Sequence, residues 1–222
     1  MSERKHGRYQ NMAPAINIYM QFGCGFSAPP GWLNFDASPT LRLQRLPLLG
    51  VILKKRYPPV FPINAKYGDI VRGLPIVPES CKGIYCSHVL EHLALQDFRQ
   101  ALENTNSYLM VGGVFRLVVP DLEHLAKVYL ESDEPTSSLE FMRRSHLGRE
   151  NRPKKFIPIL RQLFGNSSHL WMWDYDSLQL ELSNAGFRKI RRAFFGDSED
   201  ERFSEVEEFH RWEDNLGIQC SK

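Results

Sequence analysis

The sequence predicts an α/β fold built around a mostly parallel sheet. Three observations carry this. Short apolar runs alternate with segments of helical periodicity. Several of these runs end on glycine or aspartate, as in "INIYMQFGCG" (16–25) and "WLNFD" (32–36). The run "GGVFRLVVPD" (112–121) is the clearest strand of all.

In chain order, residues 1–14 are polar and charged and read as a flexible tail, leaving 15–222 as a single domain. Residues 16–25 form a buried strand that runs into a tight glycine turn. Residues 32–36 form a second strand ending on Asp36, and "KYGDI" (66–70) a short third ending near Asp69. "GIYCSHV" (83–89) is the fourth and 112–121 the fifth. Phe98, Ala101, Leu102, Thr105 and Leu109 recur at helical spacing over 95–109. Leu122, Leu125, Ala126 and Tyr129 mark a helix over 121–131, opened by Pro-Asp. "YDSLQLELSNAGF" (175–187) is a further helix with Gly186 as its C-terminal cap, followed by strands at 188–195 and 216–222. Two stretches interrupt the alternation: a basic, apolar, proline-broken insertion at about 40–63 and a basic, poorly periodic one at about 132–168.

Composition narrows the function classes. Of 222 residues, 24% are charged and 42% hydrophobic, which is ordinary for a globular protein and enough to bury a core. A net charge of +2 is too small to argue for nucleic acid, and none is expected as a partner. No apolar run reaches a membrane span, and the charged first residues lack the apolar core of a secretion signal. Cys24, Cys81, Cys86 and Cys220 show no CxxC pair and no metal-ligand spacing. The expectation is a cytoplasmic protein with free thiols and no bound metal. The oligomeric state stays open.

The glycine turn constrains the ligand. Gly23 and Gly25 follow a strand, as in dinucleotide-binding folds, although Gly-x-Gly also suits a plain tight turn. Only "FSAPPGW" separates Gly25 from the second strand, whereas a normal crossover needs about a dozen residues. The usual first helix has almost no room. A pyrophosphate wants that helix's free N–H groups and positive end, so NAD and FAD are disfavoured. A ligand without phosphate needs only close approach to the glycines, with an acid at the second strand's end for ribose hydroxyls. Asp36 stands there.

The ordered set "FGCG" (22–25), "GWLNFD" (31–36), "YGDIVRGLP" (67–75), "IYCSHVLEHL" (84–93), "GGVFRLVVPDL" (112–122) and "HLWMWDYDSLQLELSNAGF" (169–187) resembles class I S-adenosylmethionine-dependent methyltransferases, close to the methyltransferase type 11 group. The resemblance spans most of residues 16–187. It implies a Rossmann-like, seven-stranded, mostly parallel sheet with one antiparallel strand, the insertions forming a cap. It also implies S-adenosyl-L-methionine as cofactor, with S-adenosyl-L-homocysteine as product. By position, Gly23, Cys24 and Gly25 would approach the methionyl part and Asp36 the ribose. Asp69 and Ile70 would flank the adenine, and Ser87 and His88 would border the sulfonium and the acceptor. A third glycine and most of the first helix are missing from the pattern.

The stretch "SHVLEHL" (87–93) also contains His-x-x-Glu-His, the spacing of one class of zinc peptidases. Zinc would need His88 and His92 one turn apart on a settled helix, Glu91 as base and a third ligand from elsewhere. His88 follows "GIYC" directly and so falls at a strand–helix junction. A zinc hydrolase using His88, Glu91 and His92 is therefore the weaker reading. The stronger one takes His92 as a structural histidine and Glu91 as a carboxylate satisfied by the helix start or a nearby hydroxyl. A binding protein that kept the fold without turnover is a third reading.

The candidate catalytic residues are His88, His169 and Asp121. His88 is nearest the expected crevice and is a candidate base. His169 opens "HLWMW" and either overlies the pocket or packs with Trp171 and Trp173. Asp121 ends the fifth strand and is also a natural N-cap. Methyl transfer asks mainly for alignment and exclusion of water, with a base useful for an oxygen nucleophile. The expected acceptor is a small molecule, such as a sugar or sugar conjugate, gripped by a positive rim of Arg143, Arg144, Lys154 and Lys155. Peripheral membrane contact through 40–57, where Leu46, Leu48, Leu49, Val51, Ile52 and Leu53 cluster, is the competing use of the first insertion.

Overall fold

Seven strands form one sheet in the order β3-β2-β1-β4-β5-β7-β6. The computed structural model describes residues 17–47, 59–150 and 168–222. The strands are β1 (Ile18–Phe22), β2 (Leu33–Asp36), β3 (Ala65–Tyr67), β4 (Cys81–Ser87), β5 (Leu109–Pro120), β6 (Arg188–Ala193) and β7 (Asn215–Ser221). The helices among the described residues are α1 (Pro39–Gln44), α2 (Leu95–Tyr108), α3 (Leu122–Leu130), α4 (Ser137–Arg144) and α5 (Tyr175–Asn184). Strands β1 to β5 are mutually parallel, and β7 runs antiparallel to both β5 and β6. This is the mostly parallel sheet with one antiparallel strand that the sequence predicts. The seven strands and the three long helices fall where the periodicity places them.

Alternation along each strand builds two different cores. Met20 and Phe22, Ile84 and Cys86, and Leu117 and Val119 face α2 and α5, where Phe98, Leu102, Leu178 and Leu182 are fully buried. Tyr19, Tyr85 and Val118 face the other way, against Trp32, Phe203, Val206 and Trp212. Short 3₁₀ turns at Glu201–Glu205 and Phe209–Arg211 supply the cover on this second face. They lie in a charged segment with no helical period in the sequence.

The second face also buries Arg116 of β5 completely. Its guanidinium donates to Glu207 at 2.7 Å, Asp197 at 2.9 Å, Gln219 at 2.7 Å and the Phe194 carbonyl at 3.1 Å. The plane of Arg116 also lies over Trp212, 4.9 Å from the ring centre. A charge this deep persists only because each donor finds a partner.

No helix joins β1 to β2, as the short connection predicts. Buried amides hold the loop instead. Gln21 of β1 donates to the Ser27 carbonyl at 2.8 Å and to Asn34 at 2.7 Å. Asn34 of β2 donates to the carbonyls of Pro29 and Trp32. The first insertion opens with α1, capped by Ser38 with Pro39 at its first position. Leu41 of α1 packs with Cys24, Phe61 and Ala65 in a small third core. In the second insertion α4 lies against α3, with Tyr129 and Phe141 in ring contact at 5.6 Å. Leu48, Leu49, Val51, Ile52 and Leu53, along with Lys154 and Lys155, lie outside the described residues.

Candidate active site at the strand ends

The chain reverses its direction of travel across the sheet between β1 and β4, and a crevice opens at the C-terminal ends of strands at such a switch point. A cavity of about 1360 Å³ lies there. It is lined by Gly23 and Gly25 after β1, by Asp36 and α1 after β2, by Gly68 to Arg72 after β3, and by Ser87 and His88 after β4. Of the residues the sequence nominates for cofactor contact, the fold brings Gly23, Gly25, Asp36, Asp69, Ile70, Ser87 and His88 to this one cavity. Cys24 stays behind it. Its thiol is buried in the third core, its N–H donates to the Phe35 carbonyl, and burial, helped by the charge of Asp36, pushes the thiol up to about 12.

Local chemistry explains the wall. Gly23 has a φ of +69°, and a Cβ there would meet Val89 Cγ2 at 2.0 Å. Gly25 has a φ of +53° and donates its N–H to Asp36 Oδ2 at 2.9 Å. Asp36 Oδ1 accepts from Ser38 N at 2.7 Å. The aspartate therefore ties the glycine turn to the start of α1 and keeps lone pairs free toward the cavity. Asp69 Oδ1 accepts from Val71 N at 3.0 Å, which holds the β3 loop against the cavity.

His88 adopts a φ of +53°. Its Nε2 lies 3.1 Å from the Arg211 carbonyl and its Nδ1 3.3 Å from Glu91 Oε1. Both ring nitrogens thus have partners, so abstracting a proton from an acceptor would require the ring to turn. The Ser87 hydroxyl is buried without a hydrogen-bond partner.

Asp121 and His169 do not line the cavity. Asp121 caps α3, accepting from His124 N at 3.1 Å, and sits 3.7 Å from Arg192. His169 is buried beside Glu91, His92 and His146. Burial holds it below the ordinary histidine value. Glu91 opposes that shift and His92 adds to it.

Residues 90–92 form a 3₁₀ turn, so the helix on which a zinc peptidase would set His88 and His92 is absent. The expectation that Glu91 is satisfied by the helix start or a hydroxyl is corrected by the structure. Glu91 is fully buried, and neither carboxylate oxygen accepts a hydrogen bond.

The arginines that line the cavity are Arg42, Arg72 and Arg211, in place of the anticipated Arg143 and Arg144, and they share the wall with Asp36, Asp69 and Asp97. Arg143 and Arg144 pair with Glu150 and Asp214 outside it. Arg72 lies inside the 67–75 motif, and Arg42 lies at the start of the basic first insertion. Arg211 comes from an aperiodic, charged stretch, and no local pattern marks it. Leu43 and Leu46, half exposed, line the cavity from the first insertion. No helix among the described residues is long and apolar enough to cross a membrane.

No family model matches the chain, and no curated protein matches it. Among solved structures it is similar to a SAM-dependent methyltransferase from Archaeoglobus fulgidus, at 14% identity and a TM-score of 0.50, covering 94% of this chain and 87% of that one. A possible histamine N-methyltransferase from Thermotoga maritima is 17% identical, with 92% and 82% covered and a TM-score of 0.48. The structure of PigF with SAH is 15% identical, with a TM-score of 0.46. There the match covers 93% of this chain but only 56% of the other. The fold is that of class I SAM-dependent methyltransferases.

Proposed function

We propose that this chain is an S-adenosyl-L-methionine-dependent methyltransferase acting on the oxygen of a small hydroxylated or anionic acceptor of saccharide type. One observation carries the reading. Residues from four separate strand ends, Gly23 and Gly25, Asp36, Asp69 and Ile70, and Ser87 and His88, line a single cavity at the switch point. The cavity has room for a cofactor and part of a second molecule.

In this reading the bound cofactor supplies an activated methyl group. The glycine turn lets its methionyl end lie on the backbone, with Arg211 facing its carboxylate. Asp36 accepts from the ribose hydroxyls. Ile70 and the Asp69 loop take the adenine. Leu43, Leu46 and Leu170 exclude water. Catalysis is then alignment of the acceptor oxygen with the methyl group. His88 gives its Nε2 proton to the Arg211 carbonyl, so Nδ1, once turned from Glu91, is the nitrogen that takes the acceptor's proton. The cavity mixes Arg42, Arg72 and Arg211 with Asp36, Asp69 and Asp97. Such a polar wall suits a hydroxylated acceptor over a neutral hydrophobe, with the arginines able to hold an attached phosphate or carboxylate.

Calorimetry with S-adenosyl-L-homocysteine tests the cofactor half and should show one site per chain. Incubating the protein with methyl-labelled cofactor and a panel of sugar phosphates and nucleotide sugars tests the acceptor half. Binding without transfer to any acceptor would favour a binding protein that has lost turnover. Absence of heat and of thermal stabilisation would remove the proposal.

A further inference from the structure

At the cavity wall, which His92 lines, lies a cluster that the proposed methyl transfer does not use. Glu91 is fully buried and neither carboxylate oxygen accepts a hydrogen bond, although three imidazoles stand within 4 Å of Oε1. His92 Nε2 stands 3.8 Å from its Oε1 and His169 Nε2 3.9 Å from the same atom. One donor atom from each of Glu91, His92 and His169 falls within 4.8 Å of the others.

The hydrogen bonds around the cluster fix how these groups face each other. His92 Nδ1 lies 3.2 Å from the Ser168 carbonyl, which can only accept, so that nitrogen carries the proton. In a neutral ring Nε2 then presents a lone pair toward Glu91. Two acceptors pointing at each other across less than 4 Å call for a proton or a metal ion between them, and a third donor converging from His169 suits a metal ion. A ring N–H given to a backbone carbonyl is also how metal-ligating histidines are oriented.

The backbone holds the partners in register. Leu170 N and Trp171 N both donate to the Glu91 carbonyl, at 2.8 and 3.1 Å, which brings His169 over the carboxylate. Metal–ligand bonds of about 2.0–2.1 Å at tetrahedral angles put donor atoms roughly 3.4 Å apart. The observed 3.8 and 3.9 Å need to close by about 0.4–0.5 Å, and the two imidazoles, within 4.8 Å of each other, by up to about 1.4 Å, which rotation of the rings supplies.

We propose that Glu91, His92 and His169 bind one divalent metal ion of zinc type, with water completing a four-coordinate site. Two imidazoles and one carboxylate are a donor set that suits zinc and its first-row neighbours. The ion staples the start of the 168–173 segment, which leads into α5, to the loop after β4. His88, 3.3 Å from the same Oε1 on the cavity side, links the centre to the cavity wall. A metal here departs from the expectation, drawn from cysteine spacing and from the strand–helix junction at His88, of a protein without one. The site differs from the zinc-hydrolase reading because Glu91 is a ligand and His88 is not.

The test needs no methyl donor, so its outcome is independent of the proposed activity. Tag-free protein is stripped with chelator, dialysed against Zn²⁺ and assayed for bound metal. The expected result is one ion per chain, a raised melting temperature and, with Co²⁺ as probe, visible absorption of a tetrahedral centre. Glu91→Gln and His169→Ala should each weaken Zn²⁺ binding by about tenfold or more. If a variant fails to fold, stoichiometry and the Co²⁺ spectrum of the unaltered protein decide. Folded, unaltered protein that takes up no stoichiometric Zn²⁺ or Co²⁺ overturns the proposal, as does a folded His169→Ala variant of undiminished affinity.

Discussion

Replacing Asp36 with alanine separates the structural duty of this carboxylate from its binding duty. In the structure its two oxygens accept from Gly25 N at 2.9 Å and Ser38 N at 2.7 Å. Hydrogen bonds to a charged acceptor contribute about 1.5–3 kcal/mol each. They share one carboxylate, and water can enter the gap, so a combined loss of about 2–4 kcal/mol in unfolding free energy is expected. Cofactor binding loses a charged acceptor for the ribose hydroxyls, worth about 1.5–3 kcal/mol, or roughly 12- to 150-fold in Kd. Asp36→Asn keeps one acceptor oxygen and should fall between the two. Urea denaturation followed by circular dichroism gives the stability loss, and calorimetry with S-adenosyl-L-homocysteine gives the affinity loss. A folded Asp36→Ala variant that binds with unchanged Kd would refute the ribose assignment, whatever its stability.

Gly23→Ala must place its Cβ against Val89 in a left-handed backbone. It should cost about 1–2 kcal/mol from the backbone alone, with more from the clash, and should lower cofactor affinity; Gly23→Ala with Val89→Ala relieves the clash and should recover part of the stability. Arg116→Met leaves the fully enclosed Glu207 carboxylate without its guanidinium. A loss of about 3–5 kcal/mol is expected in denaturant titration, partly restored by adding Glu207→Gln. Burial pushes the Cys24 thiol up to about 12 and the Cys81 thiol up to about 11 from an ordinary 9.0. Between pH 9 and 11 the unfolded chain releases these protons and the folded chain keeps them, so stability should fall as pH rises. The slope from each thiol is at most about 1.4 kcal/mol per pH unit. A Cys24→Ala, Cys81→Ala double variant should lose their share and keep that of Cys86 and Cys220, whose thiols burial also holds well above the ordinary value.

Where local pattern and tertiary environment agree, the fold is legible in the sequence. Strands β1, β4 and β5 are continuous apolar runs because both of their faces are covered, and α2 shows its stripe because only one face is. The glycine turn and Asp36 are legible because ligand approach and strand ends restrict which residues serve there. The cover of the second face is not. Phe203, Val206 and Trp212 are spaced by 3₁₀ turns and loop, which impose no period. Arg116 is invisible for another reason: its partners Asp197, Glu207 and Gln219 are all more than 80 positions away along the chain. Glu91 and His169 carry no shared motif, and the Leu170 and Trp171 hydrogen bonds, with the His92–Ser168 contact, bring them together.

The placement of β7 has a consequence for the chain as it leaves the ribosome. β7 is the last of the seven strands in sequence, yet it lies between β5 and β6. Until residues 215–221 emerge, β6 has no strand to join and the long edge of β5 stands open. Arg116, midway along that edge, already has Asp197 but waits for Glu207 and Gln219 to complete its partners. A nascent chain ending near residue 200 therefore holds a five-stranded parallel sheet with an unpaired border, the kind of edge that recruits other chains. Arg211 joins the cavity wall in the same final stretch. Closing that border and completing the pocket are thus a single event in synthesis, and a ligand present at that moment would reward the correct closure over its competitors.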